Sequence, residues 1–252
     1  MQDLVDLLGA ARRILVFTGA GISTGSGIPD FRGPQGVWKT RQPVYFDDFL
    51  ASEAKRLEYW AYKLEGRALF ESARPNAAHA AIVALERLGR VEAVVTQNID
   101  GLHQAAGTSP DRLVEVHGTN RWVECTSCGE RSDPAPAFAE YLAHHRAPRC
   151  LCGGWLKSAT ISFGQALRPE VLDRGFRAAA SCDLVLALGS SLSVHPAASI
   201  PLAAARRRVP YAIVNRGETD HDDACTLRLE GDVVAILPPA VAAVGAVGPS
   251  SF

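Results

Sequence analysis

No apolar run in this 252-residue chain approaches the roughly 18 residues that a membrane-crossing helix requires, so a helical membrane protein is not expected. The opening stretch, MQDLVDLLGAARRI, has early acidic residues and lacks the basic start and long apolar core of a secretory leader. Leu4, Leu7 and Leu8 instead recur at helical spacing and predict a short amphipathic helix. Excess charge is missing as well. With 26 basic and 27 acidic residues the formal net charge is -1, and no basic stripe points to a nucleic-acid partner. Cysteine is sparse, six in all. Without a leader the expected location is the cytoplasm, where thiols stay reduced and disulfides are disfavoured. No internal repeat is present, so a solenoid is not indicated.

What is present is ordinary globular composition, 47% hydrophobic and 21% charged. Four short apolar runs stand out: Ile14 to Phe17, Val91 to Val95, Leu184 to Leu188 and Tyr211 to Val214. None alternates with polar residues, which predicts strands buried on both faces. Helix-like stretches at Ala77 to Leu88, Arg168 to Ala180 and Ala197 to Arg207 intervene. Strand–helix alternation implies a doubly wound α/β domain, with ligands at the carboxyl ends of its strands. Residues 36–74, rich in aromatics and charge, and 121–156, with four of the cysteines, break this rhythm. Both read as insertions that pack together as a smaller module. The large domain is then assigned to 1–35, 75–120 and 157–252. The stretch from Pro238 onward is rich in small residues and is expected to fray at its end.

Gly19-Ala20-Gly21-Ile22-Ser23-Thr24-Gly25 follows the first strand, a pattern in which glycines let free amides approach a pyrophosphate. Thr24 stands at the third glycine position of the dinucleotide fingerprint, so a purely structural turn is the alternative. Phe31 and Arg32 follow, an aromatic and a cation suited to cover a ring and a phosphate. Cys125-x-x-Cys128 and Cys150-x-Cys152 suit a four-thiolate structural Zn²⁺ site, with a redox dithiol as the rival. Cys182 and Cys225 read as small buried hydrophobes. After the second strand, Thr96-Gln97-Asn98-Ile99-Asp100 brings amides and a carboxylate to a strand end, where a helix cap is the plainer reading. His117 closes the run Leu113 to Val116 before Gly118, a setting for an imidazole that accepts a proton near neutrality.

With these residues in place the chain resembles a sirtuin over nearly its whole length, through GAGISTGSGIPDFRGPQGVW, TQNIDGLHQAAG, EVHG, the four cysteines, ISFG, GSSLSVHPA and IVN, in the family's order. The resemblance implies a Rossmann-like sheet plus a small domain of zinc ribbon and helices, with NAD and an acyl-lysine meeting between them. It implies NAD-dependent removal of acyl groups from protein lysines, releasing nicotinamide and O-acyl-ADP-ribose, with His117 as general base and Asn98 as a second catalytic residue. By the same resemblance Gly19, Ala20, Gly21, Ile22, Phe31, Arg32, Gln97, Ile99, Asp100, Gly189, Ser190, Ser191, Asn215, Asp232 and Val233 surround the dinucleotide. Ile161, Phe163, Gly164 and Val194 are expected on the acyl-peptide side. Relatives that prefer succinyl groups carry Tyr-x-x-Arg on a small-domain helix, and the aligned segment here is Trp60-Ala61-Tyr62-Lys63. Trp60 offers no phenol and Lys63 no fork, so an acetyl or other neutral group is expected, with Trp60 and Lys63 in the acyl pocket. A slip in alignment would bring in Tyr59 or Tyr62. Gln165 replaces the usual acidic residue after Phe-Gly. A mono-ADP-ribosyltransferase and a zinc-ribbon nucleotide sensor are the rival readings.

Overall fold

The computed structural model describes residues 1–30 and 42–246. The four apolar runs are strands: β1 (Ile14–Thr18), β2 (Val91–Thr96), β7 (Leu184–Leu188) and β8 (Tyr211–Asn215). With β3 (Leu113–Glu115) and β9 (Leu227–Glu230) they form one parallel sheet, ordered β3-β2-β1-β7-β8-β9. Successive residues of β1 serve opposite faces: Ile14 and Val16 join one core cluster, Leu15 and Phe17 the other. That is why the runs do not alternate. One face is covered by α1 (Gln2–Ala10), α4 (Ala77–Arg87) and α9 (Val233–Ala246), the other by α7 (Pro169–Ser181) and α8 (Ser199–Ala205). From β1 the chain winds outward through β2 and β3, then returns to build β7, β8 and β9 on the opposite side. The strand order therefore reverses between β1 and β7, the place where such sheets open a ligand crevice.

Described residues outside the parallel sheet pack together as a smaller module. Helices α2 (Phe46–Ala51) and α3 (Glu53–Ser72) pack their aromatics against a three-stranded antiparallel sheet of β4 (Gly118–Cys125), β5 (Arg131–Ser132) and β6 (Leu156–Thr160), and against α6 (Pro134–His144). Phe49, Tyr59, Trp60, Val123, Phe138 and Tyr141 share this one core. The sheet runs through the expected boundaries at 120 and 157, because β4 starts one residue after His117. A short helix, α5 (Leu102–Ala106), completes the order. No described helix is long and apolar enough to cross a membrane.

The end of the carboxyl-terminal stretch, where fraying is expected, lies outside the described residues. Pro238 and Pro239 lie inside α9, whose Leu237, Ala240, Val241 and Val244 are buried in the core shared with α1 and α4. An internal proline costs on the order of 3 kcal/mol in a helix, and burying several aliphatic side chains at about 1.5–3 kcal/mol each offsets it.

Candidate functional site

A cleft of about 1630 Å³ lies between the carboxyl edge of the parallel sheet and the smaller module. Its floor is the switch point. Gly19 N–H donates to Leu188 O at 3.1 Å and Gly21 N–H to Gly189 O at 2.8 Å, so the loops after β1 and β7 are stitched together. A Cβ on Gly21 would stand 2.7 Å from Gly189 Cα. Gly189 itself has φ +61°, and a side chain there would overlap the Ile22 amide. These glycines are thus required first by mutual backbone contact, a reason the fingerprint reading did not include. Gly25 is a packing glycine as well, its α-carbon facing Val234 of α9.

Residues 20–26 form a 3₁₀ turn, whose Ser23 hydroxyl donates to Asp100 Oδ2 at 2.7 Å and accepts from Asn98 Nδ2 at 3.1 Å. The Asn98 amide also donates to Gly19 O, at 3.1 Å. Asp100 Oδ1 accepts the amide of Leu102, the first residue of α5, from one position before the Gly101 cap. Burial pushes the Asp100 carboxyl above its usual range, and the bonds from Leu102 and Ser23 hold part of that rise back. A small recess behind the cleft is lined by Ala20, Ser23, Ile28, Phe70, Asn98 and Asp100. The sequence gives no signal for the role of Ser23, because a hydroxyl between glycines does not show that it ties this turn to the Asn98–Asp100 segment.

Gln97 donates from Nε2 to Ser190 Oγ at 2.8 Å, across the switch point. Its carbonyl lies 3.1 Å from His117 Nδ1. A carbonyl only accepts, so Nδ1 carries the proton, and the lone pair of the neutral ring is on Nε2. Gly118, at φ +73° and packed against the Ala159 carbonyl, turns the chain from β3 into β4 directly after this histidine.

The cleft is lined by Gly19, Ala20, Gly21, Gln97, Asn98, Ile99, Asp100 and His117. Gly189, Ser190, Ser191 and Asn215 join them from the other half of the sheet. Lys63, Ile161, Phe163, Gly164 and Val194 line the side toward the smaller module. Four expected residues stand elsewhere. Trp60 is fully buried against Phe138 and Tyr141, in the aromatic core rather than in an acyl pocket. Tyr59 and Tyr62 of the same helix line the cleft instead. The Tyr59 hydroxyl accepts the Ser158 amide at 3.1 Å, and burial pushes it up to about 12. The Ile22 side chain belongs to the sheet core. Val233 is core too, and Asp232 accepts the Val234 amide at 2.9 Å to start α9 while pairing with Arg216 at 2.6 Å. Phe31 and Arg32 lie outside the described residues.

Lys157 organises the loop beyond β6. Buried, it donates to the carbonyls of Ser158 and Thr160 and reaches Gln165 Oε1 at 3.5 Å, while Gln165 also accepts the Ser162 amide at 3.1 Å. Burial pulls its ammonium down to about 8, Glu124 opposing and Arg168 assisting. Phe163 O in turn accepts the Phe46 amide at 2.9 Å, linking this loop to α2.

At the far end of the smaller module the sulfurs of Cys125, Cys128, Cys150 and Cys152 all lie within 4.8 Å of one another. Cys125 and Cys152 are 3.5 Å apart, Cys128 and Cys150 3.8 Å. Tetrahedral zinc with bonds of about 2.3 Å sets sulfurs about 3.8 Å apart, so the quartet fits that ion and leaves it no open position. The Ser127 amide points at Cys125 Sγ, 3.4 Å away, and a Cβ on Gly154 would strike that sulfur. Cys182 is buried in the sheet core, where Cys225 packs against it.

A family model described as the Sir2 family matches residues 19–196. The chain is 40% identical over 242 residues to NAD-dependent protein deacetylase 1 of Bradyrhizobium diazoefficiens, covering 96% of this chain and 95% of that one. It is 41% identical over 245 residues to the NAD-dependent protein deacetylase of Haloarcula marismortui, covering 96% and 93%. Among solved structures it is similar to a Sir2 complex with p53 peptide and NAD+ (TM-score 0.86, 36% identity, 98% and 99% covered). A Sir2 complex with deacetylated p53 peptide and 3'-O-acetyl ADP-ribose is similar as well (TM-score 0.88, 36% identity, 100% and 99% covered).

Proposed function

This chain belongs to the Sir2 family, and from that premise we propose that it removes acyl groups, acetyl above all, from protein lysines at the expense of NAD. The observation that carries the reading is the His117 ring, oriented by the Gln97 carbonyl at the edge of the cleft. NAD supplies a sugar carbon that bears a good leaving group, nicotinamide. The protein's part is to hold and to move protons. Gln97 and Ser190, bonded to each other beside His117, suit ribose hydroxyls. Asn98, Asp100 and Ser23, bonded to one another where the cleft meets a small recess, offer amide and carboxyl groups suited to a carboxamide. Nε2 of His117 accepts a ribose hydroxyl proton once nicotinamide has left. The loops at Gly19–Gly21 and Gly189–Ser191 suit the diphosphate, and Asn215 the adenosine ribose.

On the other side, Ile161, Phe163 and Val194 offer an apolar passage to an acyl-lysine, and relatives named deacetylases support the acetyl preference. Residues 164–167 and 193–195 lie outside the named strands, which leaves backbone groups for pairing with an extended peptide. The chain then works as two modules, 1–35, 75–120 and 157–252 against 36–74 and 121–156. The cytoplasm, where thiols remain available to zinc, suits the cysteine quartet.

The test is His117→Ala. Deacetylation of an acetyl-lysine peptide should fall by about 10²–10⁴-fold with an unchanged melting temperature, the scale of a lost general base. In the unaltered enzyme nicotinamide release should require the acylated peptide. Near-normal turnover by the variant, or release without peptide, would overturn the reading.

A further inference from the structure

The chain has four lysines: Lys39, Lys55, Lys63 and Lys157. Lys55 is exposed and paired with Glu58 at 2.8 Å, which raises its pKa. Lys157 is buried, with its hydrogens directed to carbonyl and amide oxygens. Lys63 differs from both. It lines the cleft from α3, and among the described residues its hydrogen bond goes to a neutral acceptor, Asn120 Oδ1 at 2.9 Å, on the strand that begins just after His117. Its Nζ stands 5.5 Å from the Tyr59 ring centre. Among the described residues no carboxylate lies within ion-pair distance of it. A cation so placed is poorly compensated. Burial, and after it the charge of Lys157, pull the Lys63 ammonium down to about 7. Roughly half of this amine is then free base at neutral pH, against less than about one part in a thousand for an ordinary lysine.

We propose that Lys63 is a modification site, a cleft-facing nucleophile that takes acyl groups from acyl thioesters. The step balances without a redox partner. The Nζ lone pair attacks the thioester carbonyl carbon, the carbon–sulfur bond breaks, the thiolate leaves as a thiol, and the amine proton passes to it through solvent. The product is a neutral amide in the cleft beside Tyr59, Tyr62 and Asn120, on the wall that faces the sheet edge. Modification removes the positive charge and occupies substrate space, so the enzyme becomes responsive to the supply of activated acyl groups. If the deacylase reading holds, the modified side chain is also of the class that the same enzyme removes.

The experiment labels the full-length, zinc-loaded protein with the N-acetylcysteamine thioester of acetate, without NAD, near pH 7.5. Peptide mass spectrometry then follows each lysine. Lys63 should be acetylated at least about tenfold faster than Lys55, although Lys55 is the more exposed, because the larger free-base fraction outweighs the lower basicity. The same order is expected in His117→Ala, since the labelling uses no step of deacylation. Its outcome therefore stands apart from any failure of the deacylase reading. Equal rates, or Lys55 ahead of Lys63, would overturn the proposal and leave Lys63 as a charged holder of anionic groups. A Lys63→Gln variant that keeps the unaltered protein's rate for the peptide that spans residue 63 would overturn it as well.

Discussion

Two imidazoles sealed beneath the strand ends set the acid limit of this protein. His103 Nε2 lies 3.0 Å from the Thr18 hydroxyl, which donates to Thr96 Oγ1, the acceptor of the Asn98 amide. His79 Nδ1 faces the Asn76 amide that starts α4, and the two rings are 5.0 Å apart. On these bonds His103 Nδ1 keeps a lone pair and His79 Nε2 a proton, and both of these atoms are buried without a hydrogen-bond partner among the described residues. Burial lowers His103 to about 3 and His79 to about 4. Both are neutral when folded, whereas the unfolded chain protonates them below about 6.5. Between about 6.5 and those lower values the unfolded state binds more protons, so stability is fully present above pH 6.5 and is lost as pH falls. The slope reaches about 1.4 kcal/mol per pH unit per histidine. Denaturant unfolding at pH 6.5 and 5 should differ by about 2–4 kcal/mol. His79→Gln should roughly halve that difference, and a flat profile in the unaltered protein would contradict the assignment.

Among the elements, the small sheet depends most on one local group. Strand β5 has only two residues, and β4 and β6 lead into the cysteine quartet. Structural zinc in small modules contributes on the order of 10 kcal/mol to folding. Removal of one zinc per chain by a strong chelator should lower the melting temperature and abolish peptide binding, while ordered β1, β2, β7 and β8 persist in hydrogen exchange. Metal analysis after gel filtration gives the stoichiometry, and Cys128→Ser should reproduce the loss. At this scale much was legible beforehand: short apolar runs without alternation, bounded by Gly or small polar residues, pointed to doubly buried strands. Helix α6 was passed over, though Asp133 before Pro134 is a cap followed by a first-turn proline, and the Asp133 carboxylate does accept the Ala135 amide.

For the whole molecule the cleft is the consequence that matters. Its two walls come from segments interleaved along the chain, so a ligand between them should stabilise both modules together. With ADP-ribose at about 100 times its dissociation constant, linkage adds about 2.7 kcal/mol, a rise of roughly 5–10 °C in melting temperature for a chain of this length. A shift confined to one of two separate transitions would speak against a site shared by the modules. Apolar runs and cysteine spacing were enough to point to the sheet and the cysteine quartet, because strand burial and ligand chemistry are written locally, whereas most residues expected around His117 came from the resemblance to sirtuins. Tertiary packing alone decided which side chains of α3 face the cleft. Trp60 and Lys63 are one helical turn apart, about 60° around the axis, so either was admissible from spacing. The aromatic core of Phe138 and Tyr141 drew Trp60 inward and left Lys63 toward the cleft. His117 lines the cleft, and its tautomer was decided only when Gly118 turned the chain and the Gln97 carbonyl met Nδ1.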